Sequence, residues 1–481
     1  MGATPPIPEE LWNQLPAAAQ AAVSAVIAAL EARVAALEAR LNQSPSNSSK
    51  PPSSDGPQVK PAPPRKGTGK ARGGQPGHPK RTRPDLPPDT VLELRPEVCA
   101  GCSGALAGTD PEPIRHQVLE LPAVRPQVTE YRRHRLTCPR CARVTCPPLP
   151  PGVRGGYGPR TQAACAVLTG AYRLGKRGVA RVLRDLFGVP ISPGAVCHLQ
   201  DRTAGAREPV TTAVHAHLTG RSANVDETGW REGRSRAWLW VAVADRLTGF
   251  VIRRSRARKV LGELIPGTPG VLTTDRYSVY DHLSPDRRQV CWAHLRRDFQ
   301  AMIDRGNDGS PIGTALLASA DALLGAWPRV RDGTLSRARF VSHHLGGVRA
   351  AVYAQLGRGR TCGCAITAGV CRELLRFGGA LYTFARVDGV EPTNNAAERA
   401  LRHAVCWRKT SYGTDSERGS RFVERVLTVV ASCQQQGRNV LTFLTDAIQA
   451  ARNGTPVPSL LPGTHRHPVN GYAGSGAAHE Q

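Results

Sequence analysis

No stretch of this chain approaches the ~18 consecutive apolar residues that a membrane span requires. The N-terminus also lacks the basic segment, compact apolar core and cleavage site of a secretory leader. A cytoplasmic location is therefore the expectation, with no membrane partner. Acid is scarce as well. Asp and Glu number 38 against 64 Lys and Arg, which leaves a net charge of +26. A soluble chain this basic attracts polyanions whatever else it does, so double-stranded DNA is the expected partner and the location nucleoid-associated. In a reducing compartment the 13 cysteines read as free thiols or metal ligands rather than disulfides.

A third scarcity is local. From Ser44 to about residue 84 large apolar side chains are almost missing, while Pro, Gly and Ser abound. Such a segment cannot bury a core and reads as a disordered linker. Between Lys50 and Arg83 it holds nine basic residues against one acid, Asp55. A flexible basic arm can lie along phosphates without reading sequence, and Lys60, Arg65, Lys66, Lys70 and Arg72 are its candidate DNA contacts.

Other segments are strongly patterned. Val23, Ile27, Leu30, Val34, Leu37 and Leu41 advance by alternate steps of four and three, one apolar seam with a period of 3.5. With Ile27, Val34 and Leu41 at a and Leu30 and Leu37 at d, the seam predicts a parallel coiled coil, and hence a homodimer or higher oligomer. Cys99-Ala100-Gly101-Cys102 is answered by Cys138-Pro139-Arg140-Cys141. Two such knuckles are the pattern of a tetrahedral four-thiolate zinc site, structural because it leaves no open position. Cys146 and His134 are alternative ligands. Val118–Leu121 and Tyr131–Leu136 alternate as strands of a zinc ribbon would. Further on, a helix ended by Gly188 and a new start at Ser192-Pro193 fit a helix-turn-helix, though any helical hairpin reads the same.

The period changes after Ala223. Ala237–Ala244 and Gly249–Ile252 read as buried strands, Ala257–Leu264 as a helix, and Val271–Asp275 as another strand. Two acids, Asp226 in Val225-Asp226-Glu227-Thr228 and Asp275 in Thr273-Thr274-Asp275, stand where β-branched runs meet turn-forming residues, so both are expected to end strands. This succession is that of a ribonuclease-H-like core. A third acid, Glu398, follows in an Ala-rich helix that Thr393 or Asn394 is placed to cap. The 123 positions from Asp275 to Glu398 hold mostly helical sequence, so a helical insertion is implied; Cys362, Cys364 and Cys371 within it read as free thiols. Carboxylates from strands and a helix can converge on hard divalent cations, and two such cations suit displacement at a phosphodiester.

Taken in order, these phrases resemble the transposases of IS-sixty-six type (TnpC-like) bacterial insertion sequences, of the DDE class. The resemblance rests on Leu37–Gln43 running into Asn47–Asp55, Gly73-Gly74-Gln75-Pro76-Gly77-His78, both knuckles, Val225–Thr228, Cys291-Trp292-Ala293-His294-Leu295-Arg296-Arg297 and Asn394–Arg402. It implies that Asp226, Asp275 and Glu398 are the catalytic triad and hold Mg²⁺ (or Mn²⁺), with Cys99, Cys102, Cys138 and Cys141 on structural Zn²⁺. It implies cleavage at transposon ends and strand transfer into target DNA, aided by small accessory proteins of the same element. His294, Arg296 and Arg297 become candidate contacts to the scissile phosphate, with packing against the core as the alternative. Glu227 should face the other side of its strand, and the family pattern leads us to expect a smaller residue than Arg276 after the second acid.

The expected fold is multidomain α+β. It comprises an N-terminal coiled coil (1–43), a disordered basic linker (44–90), a zinc ribbon (91–150) and a helical DNA-binding region with a candidate helix-turn-helix (151–220). The ribonuclease-H-like catalytic core follows (221–300), interrupted by a helical insertion (301–390), completed with C-terminal helices (391–455) and ended by a flexible tail (456–481). The competing readings are a catalytically silent transposase-derived DNA-binding protein and a structure-specific nuclease of the same fold.

Overall fold

The computed structural model describes residues 9–43, 48, 83 and 85–463. Lys60, Arg65, Lys66, Lys70 and Arg72, the phrase Gly73–His78 and the end of the chain from 464 lie outside the described residues. The predicted N-terminal helix is a single helix, Ala17–Leu41. Its sequence is rich in Ala and Leu, with neither Gly nor Pro inside, so propensity alone favours it. Leu30, Val34, Leu37 and Leu41 are all about half exposed or more, so among the described residues this part of the seam is uncovered. The stretch Ala17–Ala35 has a mean hydropathy of 1.4 and is long and apolar enough, by length and composition, to cross a membrane. The expectation concerned uninterrupted runs, and Gln20, Ser24, Glu31 and Arg33 do interrupt this one, although the alanines and valines around them outweigh these four in the mean.

The cysteine knuckles sit at the tips of two small hairpins. Strands β1 (Leu136–Thr137) and β2 (Val144–Thr145) pair antiparallel around the second, and Val98 pairs with Ala105 around the first. The strands expected at Val118–Leu121 and through Tyr131–Arg135 do not form; only Leu136 is in a ladder. The alternating apolar residues there face no partner. Ile114 and Leu121 are almost fully exposed, and a strand with nothing to cover gains little over irregular chain.

Four helices follow: Pro159–Gly170, Lys176–Phe187, Pro193–Ala206 and Glu208–His217. The second stops where Gly188 takes a left-handed conformation (φ 62°), and the third starts with Ser192 Oγ accepting from the Ala195 amide at 3.1 Å. Cys165, Val179, Leu183, Val196 and Leu199 form the small core between the first three.

A five-stranded sheet follows, built from β3 (Ala223–Glu232), β4 (Ser235–Ala244), β5 (Leu247–Arg253), β6 (Leu272–Thr274) and β7 (Arg288–Val290). Its order is β5-β4-β3-β6-β7. The hairpins β3–β4 and β4–β5 are antiparallel, while β6 runs parallel to both β3 and β7. The β6 ladder reaches only Ala223 and Asn224; beyond it β3 continues in its ladder with β4, and Glu232 bridges to Thr414 at the far end. Edge strand β5 is not left open. Ser432, Thr428 and Glu424, one turn apart on the helix Glu417–Gln435, accept from the amides of Thr248, Phe250 and Ile252 at 3.1, 3.1 and 2.9 Å. A helix thereby satisfies donors that an edge strand would otherwise present.

The insertion is helical, as expected, and forms its own core. Ser310–Arg331, Gly346–Gly359 and Ala365–Phe377 pack with Trp292–Asp304 around Phe299, Leu316, Trp327, Leu356, Leu374 and Phe384. Thr428→Val keeps the shape of the side chain but leaves the Phe250 amide buried without its acceptor. We expect a loss of about 1–3 kcal/mol in denaturant unfolding; a change below about 0.5 kcal/mol, the range of ordinary surface substitutions, would mean the helix holds β5 by apolar packing alone.

Candidate active site

Side chains alternate across β3. Val225 and Glu227 are buried on one face, and Asp226 lies on the other with Asn224 and Thr228. Asp226 does not end its strand as expected, because β3 runs on to Glu232; it stands just past the point where the β6 ladder stops. Asp275 directly follows β6. Its Oδ1 accepts from the Tyr277 amide at 2.9 Å, and its backbone carbonyl accepts from Arg288 Nη2 at 3.0 Å. Glu398 is in the first turn of the helix Asn395–Ser411. Asn394 occupies the cap position, but its side chain makes no capping bond. Instead its Nδ2 donates to the Val225 carbonyl at 3.4 Å, while its amide donates to Cys291 Sγ at 3.2 Å. The capping expectation fails because the side chain is committed to β3, and that commitment brings Glu398 beside Asp226.

Asp226 feels the other two acids. Burial raises the Asp226 carboxyl well above its ordinary range, and Glu227, Asp275 and Glu398 each raise it further. Its one hydrogen bond is from the Glu227 amide at 2.9 Å. Burial also raises Asp275, against the pull of the Tyr277 amide and of Arg256, Arg288 and Arg276. Glu227, on the opposite face, is treated differently. Arg256 Nε donates to it at 2.9 Å and Tyr280 Oη at 3.0 Å. Arg256 is itself held between the rings of Trp238 and Tyr277, at 4.6 and 3.8 Å. Burial, then Asp275, raise Glu227 as well, but Arg256 and Tyr280 answer its charge, whereas among the described residues no cation pairs with Asp226.

Glu398 is turned towards the helix Trp292–Asp304. Its Oε1 is 3.5 Å from Arg297 Nη2 and 3.6 Å from His294 Nε2. Burial, then Arg297 and Arg276, push His294 down to about 3, so it is neutral at physiological pH. Arg296 points elsewhere, to Asp321 at 2.6 Å. The structure therefore brings His294 and Arg297 to the third acid and leaves Arg296 on the insertion side. Arg256, Tyr280 and Arg288 had no signal of their own in the sequence, and Asn394 was legible only as a cap. Arg399, Arg402 and Lys409, exposed along the Glu398 helix, were legible in principle from helical spacing alone.

Oxygen donors with unused lone pairs, partly buried and gathered about Asp226, suit a hard divalent cation. Among the described residues no three His, Cys, Asp or Glu side chains already stand as a ligand shell, at the acids or at the cysteines. At the acids the reason is Glu398, which faces Arg297 and His294. The two cysteine turns are alike. The Cys99 carbonyl accepts from the Ser103 amide at 2.8 Å and the Cys138 carbonyl from Ala142 at 2.9 Å, with Ser103 and Ala142 both at positive φ. Backbone amides of Gly101 and Cys102 lower the Cys99 thiol, and those of Arg140 and Cys141 lower Cys138. Thiols stabilised as thiolates fit zinc. Cys146 Sγ lies against the Pro147 carbonyl at 3.7 Å.

Residues 154–421 match the family model described as the transposase IS66 family, a span that includes all three acids. Residues 96–142 match the zinc-finger binding domain of transposase IS66, and with it zinc is implied; residues 6–84 match a family of unknown function (DUF6444). An uncharacterized protein, y4qI, from Sinorhizobium fredii (strain NBRC 101917 / NGR234) is 26% identical over 257 residues, 47% of this chain and 47% of that one. The match thus spans about half the length of this curated relative.

The electrostatics make a prediction about stability. An acid raised above its ordinary value of 3.8 favours folding only while protonated, and that contribution disappears as pH rises from there through the raised value. The raised Asp226 carboxyl thus costs the metal-free protein stability at neutral pH relative to acid. In chelator at pH 7, Asp226→Asn should melt a few degrees above the parent, and the difference should close as pH falls towards 4. A lower melting temperature at pH 7 would show that the carboxylate is compensated.

Proposed function

The chain belongs to the transposase IS66 family, and from that premise we propose that it is a DDE-class DNA transposase, cutting insertion-sequence ends and joining them to target DNA. The observation that supports this most is the meeting of Asp226, Asp275 and Glu398, far apart in sequence, at one end of the parallel half of the sheet, each contributing to the burden of negative charge on Asp226. The sheet order, with three antiparallel strands followed by two parallel ones, supports a ribonuclease-H-like core.

Asp226, Asp275 and Glu398 would hold Mg²⁺ or Mn²⁺, which when bound supplies the positive charge that activates an attacking water or 3′-hydroxyl and stabilises the departing oxygen. The protein's own groups do the remaining work. Asn394 fixes the start of the Glu398 helix on β3. Arg297 and neutral His294 hold Glu398 until ligand draws it away. Arg399, Arg402 and Lys409 offer cations to DNA phosphates along the same helix, and the basic residues of segment 44–90 add contacts that do not depend on sequence. The knuckle cysteines Cys99, Cys102, Cys138 and Cys141 would hold structural zinc. The uncovered seam from Val23 to Leu41 is a pairing surface for a second copy, which bringing two element ends together needs; a full-length protein that sediments as a monomer would remove this part of the reading.

Asp226→Asn, Asp275→Asn and Glu398→Gln should each abolish Mg²⁺-dependent cleavage of an end-bearing duplex while end binding persists. Their losses should not add, because the three act as one unit. Cleavage at the parent rate in any one variant would take that residue out of the triad. If the parent binds ends and never cuts under any divalent metal, the protein is a silent DNA-binding relative instead.

Freshly prepared, reduced protein should carry about one zinc per chain, and Cys99→Ser or Cys138→Ser should release it and unfold residues 96–146 locally. Zinc-free protein by elemental analysis would contradict the four-thiolate site.

A further inference from the structure

Arg276 immediately follows Asp275, and its side chain is drawn away from the active site by two acids. Its Nε donates to Asp298 Oδ2 at 2.7 Å, and its Nη1 to Glu373 Oε2. Glu373 belongs to the insertion helix Ala365–Phe377. One turn on, Arg376 donates to Asp281 Oδ2 at 3.0 Å, whose other oxygen accepts from Arg288 Nη1 at 2.9 Å. Arg288 in turn donates to the Asp275 carbonyl and lies over the Phe377 ring at 4.6 Å. One helix of the insertion therefore touches the Asp275 loop on both sides.

The two contacts differ in weight. The Arg376 side chain is 59% exposed, so solvent screens its pair with Asp281 and its contribution is small. Arg276 and Glu373 are 21% and 28% exposed, and each guanidinium branch of Arg276 is committed to a different acid. Arg276 is also one of the cations acting on Asp275. Released from Glu373, it would keep only its bond to Asp298, and its other branch could turn onto the Asp275 carboxylate and compete there with any other cation.

We propose that Glu373 is a positioning residue for Asp275, acting through Arg276: it anchors the loop after β6 and keeps the neighbouring guanidinium off the second metal-holding acid. The insertion is then part of the site. This rests on the reading of Asp275 as a metal ligand.

The test uses the full-length protein and two measurements: Mn²⁺ binding by calorimetry, and amide exchange over residues 273–281 in chelator. Glu373→Gln should bind Mn²⁺ about tenfold more weakly, the usual scale for losing a partner that orients a ligand, at an unchanged melting temperature. The Tyr277 amide, bonded to Asp275 Oδ1, should exchange faster. Arg276→Lys keeps one charge but not the fork between two acids; it should show the same pair of effects, which covers the case in which Glu373→Gln does not fold. Parental exchange at Tyr277 in both folded variants would overturn the proposal, as would parental Mn²⁺ affinity. If the parent itself binds no Mn²⁺, or Asp275→Asn binds it equally well, the metal reading of the triad fails. The exchange comparison then still decides whether Glu373 holds the loop.

Discussion

Asp226 and Glu227 are consecutive acids within a central strand, and the structure around them is organised by that constraint. Alternation sends one carboxylate to each face of the sheet, and both are largely removed from water. Burying a carboxylate without compensation costs far more than a domain can tolerate, so each face must answer its charge or leave it to be answered by a ligand. On the Glu227 face the answer is built in: Arg256 between two aromatic rings, and the Tyr280 hydroxyl. On the Asp226 face the nearest charges are further acids. The same strand thus carries a structural carboxylate and a functional one, told apart by what stands opposite each.

Much of this was legible in the sequence where a pattern is local. The aliphatic runs of β4 and β5, the Gly188 stop and Ser192 cap, and the phrases around the three acids all carry their signal within a few residues. Strand β7 was not legible: Arg288-Gln289-Val290 is three residues long and mostly polar, and it exists because β6 and the insertion enclose it. The ribbon strands erred in the opposite direction, since alternation at Val118–Leu121 had no partner face to reward it. Asn394 was recognised as important but given a local task, a cap, when its side chain reaches a strand 169 positions earlier. Arg276 looked out of place because the acid that explains it, Glu373, lies 97 positions away. Local chemistry is visible in a sequence; the partner of a long-range polar contact is not.

The length of the excursion between the second and third acids follows from where it begins and ends. The Trp292 amide donates to the Pro392 carbonyl at 2.9 Å, and the Asn394 amide to Cys291 Sγ at 3.2 Å. The chain therefore leaves the sheet after β7 and returns a hundred residues later to the same spot. Because its two ends are pinned together, the intervening segment can be long at small additional entropic cost, and the position of Glu398 does not depend on its length. What the segment contributes depends instead on which of its side chains turn back to the sheet. Its core, around Trp327 and Phe384, also takes in Val290 of β7 and Trp292 just after it. Thr383 and Phe384 turn back to β7, and Glu373, Arg376 and Phe377 meet the loop whose carboxylate directly follows a three-residue strand. Asp226 is held by a long strand and Glu398 by a helix fixed to that strand. Of the three acids, Asp275 has the weakest support of its own, and it is the one the insertion reaches.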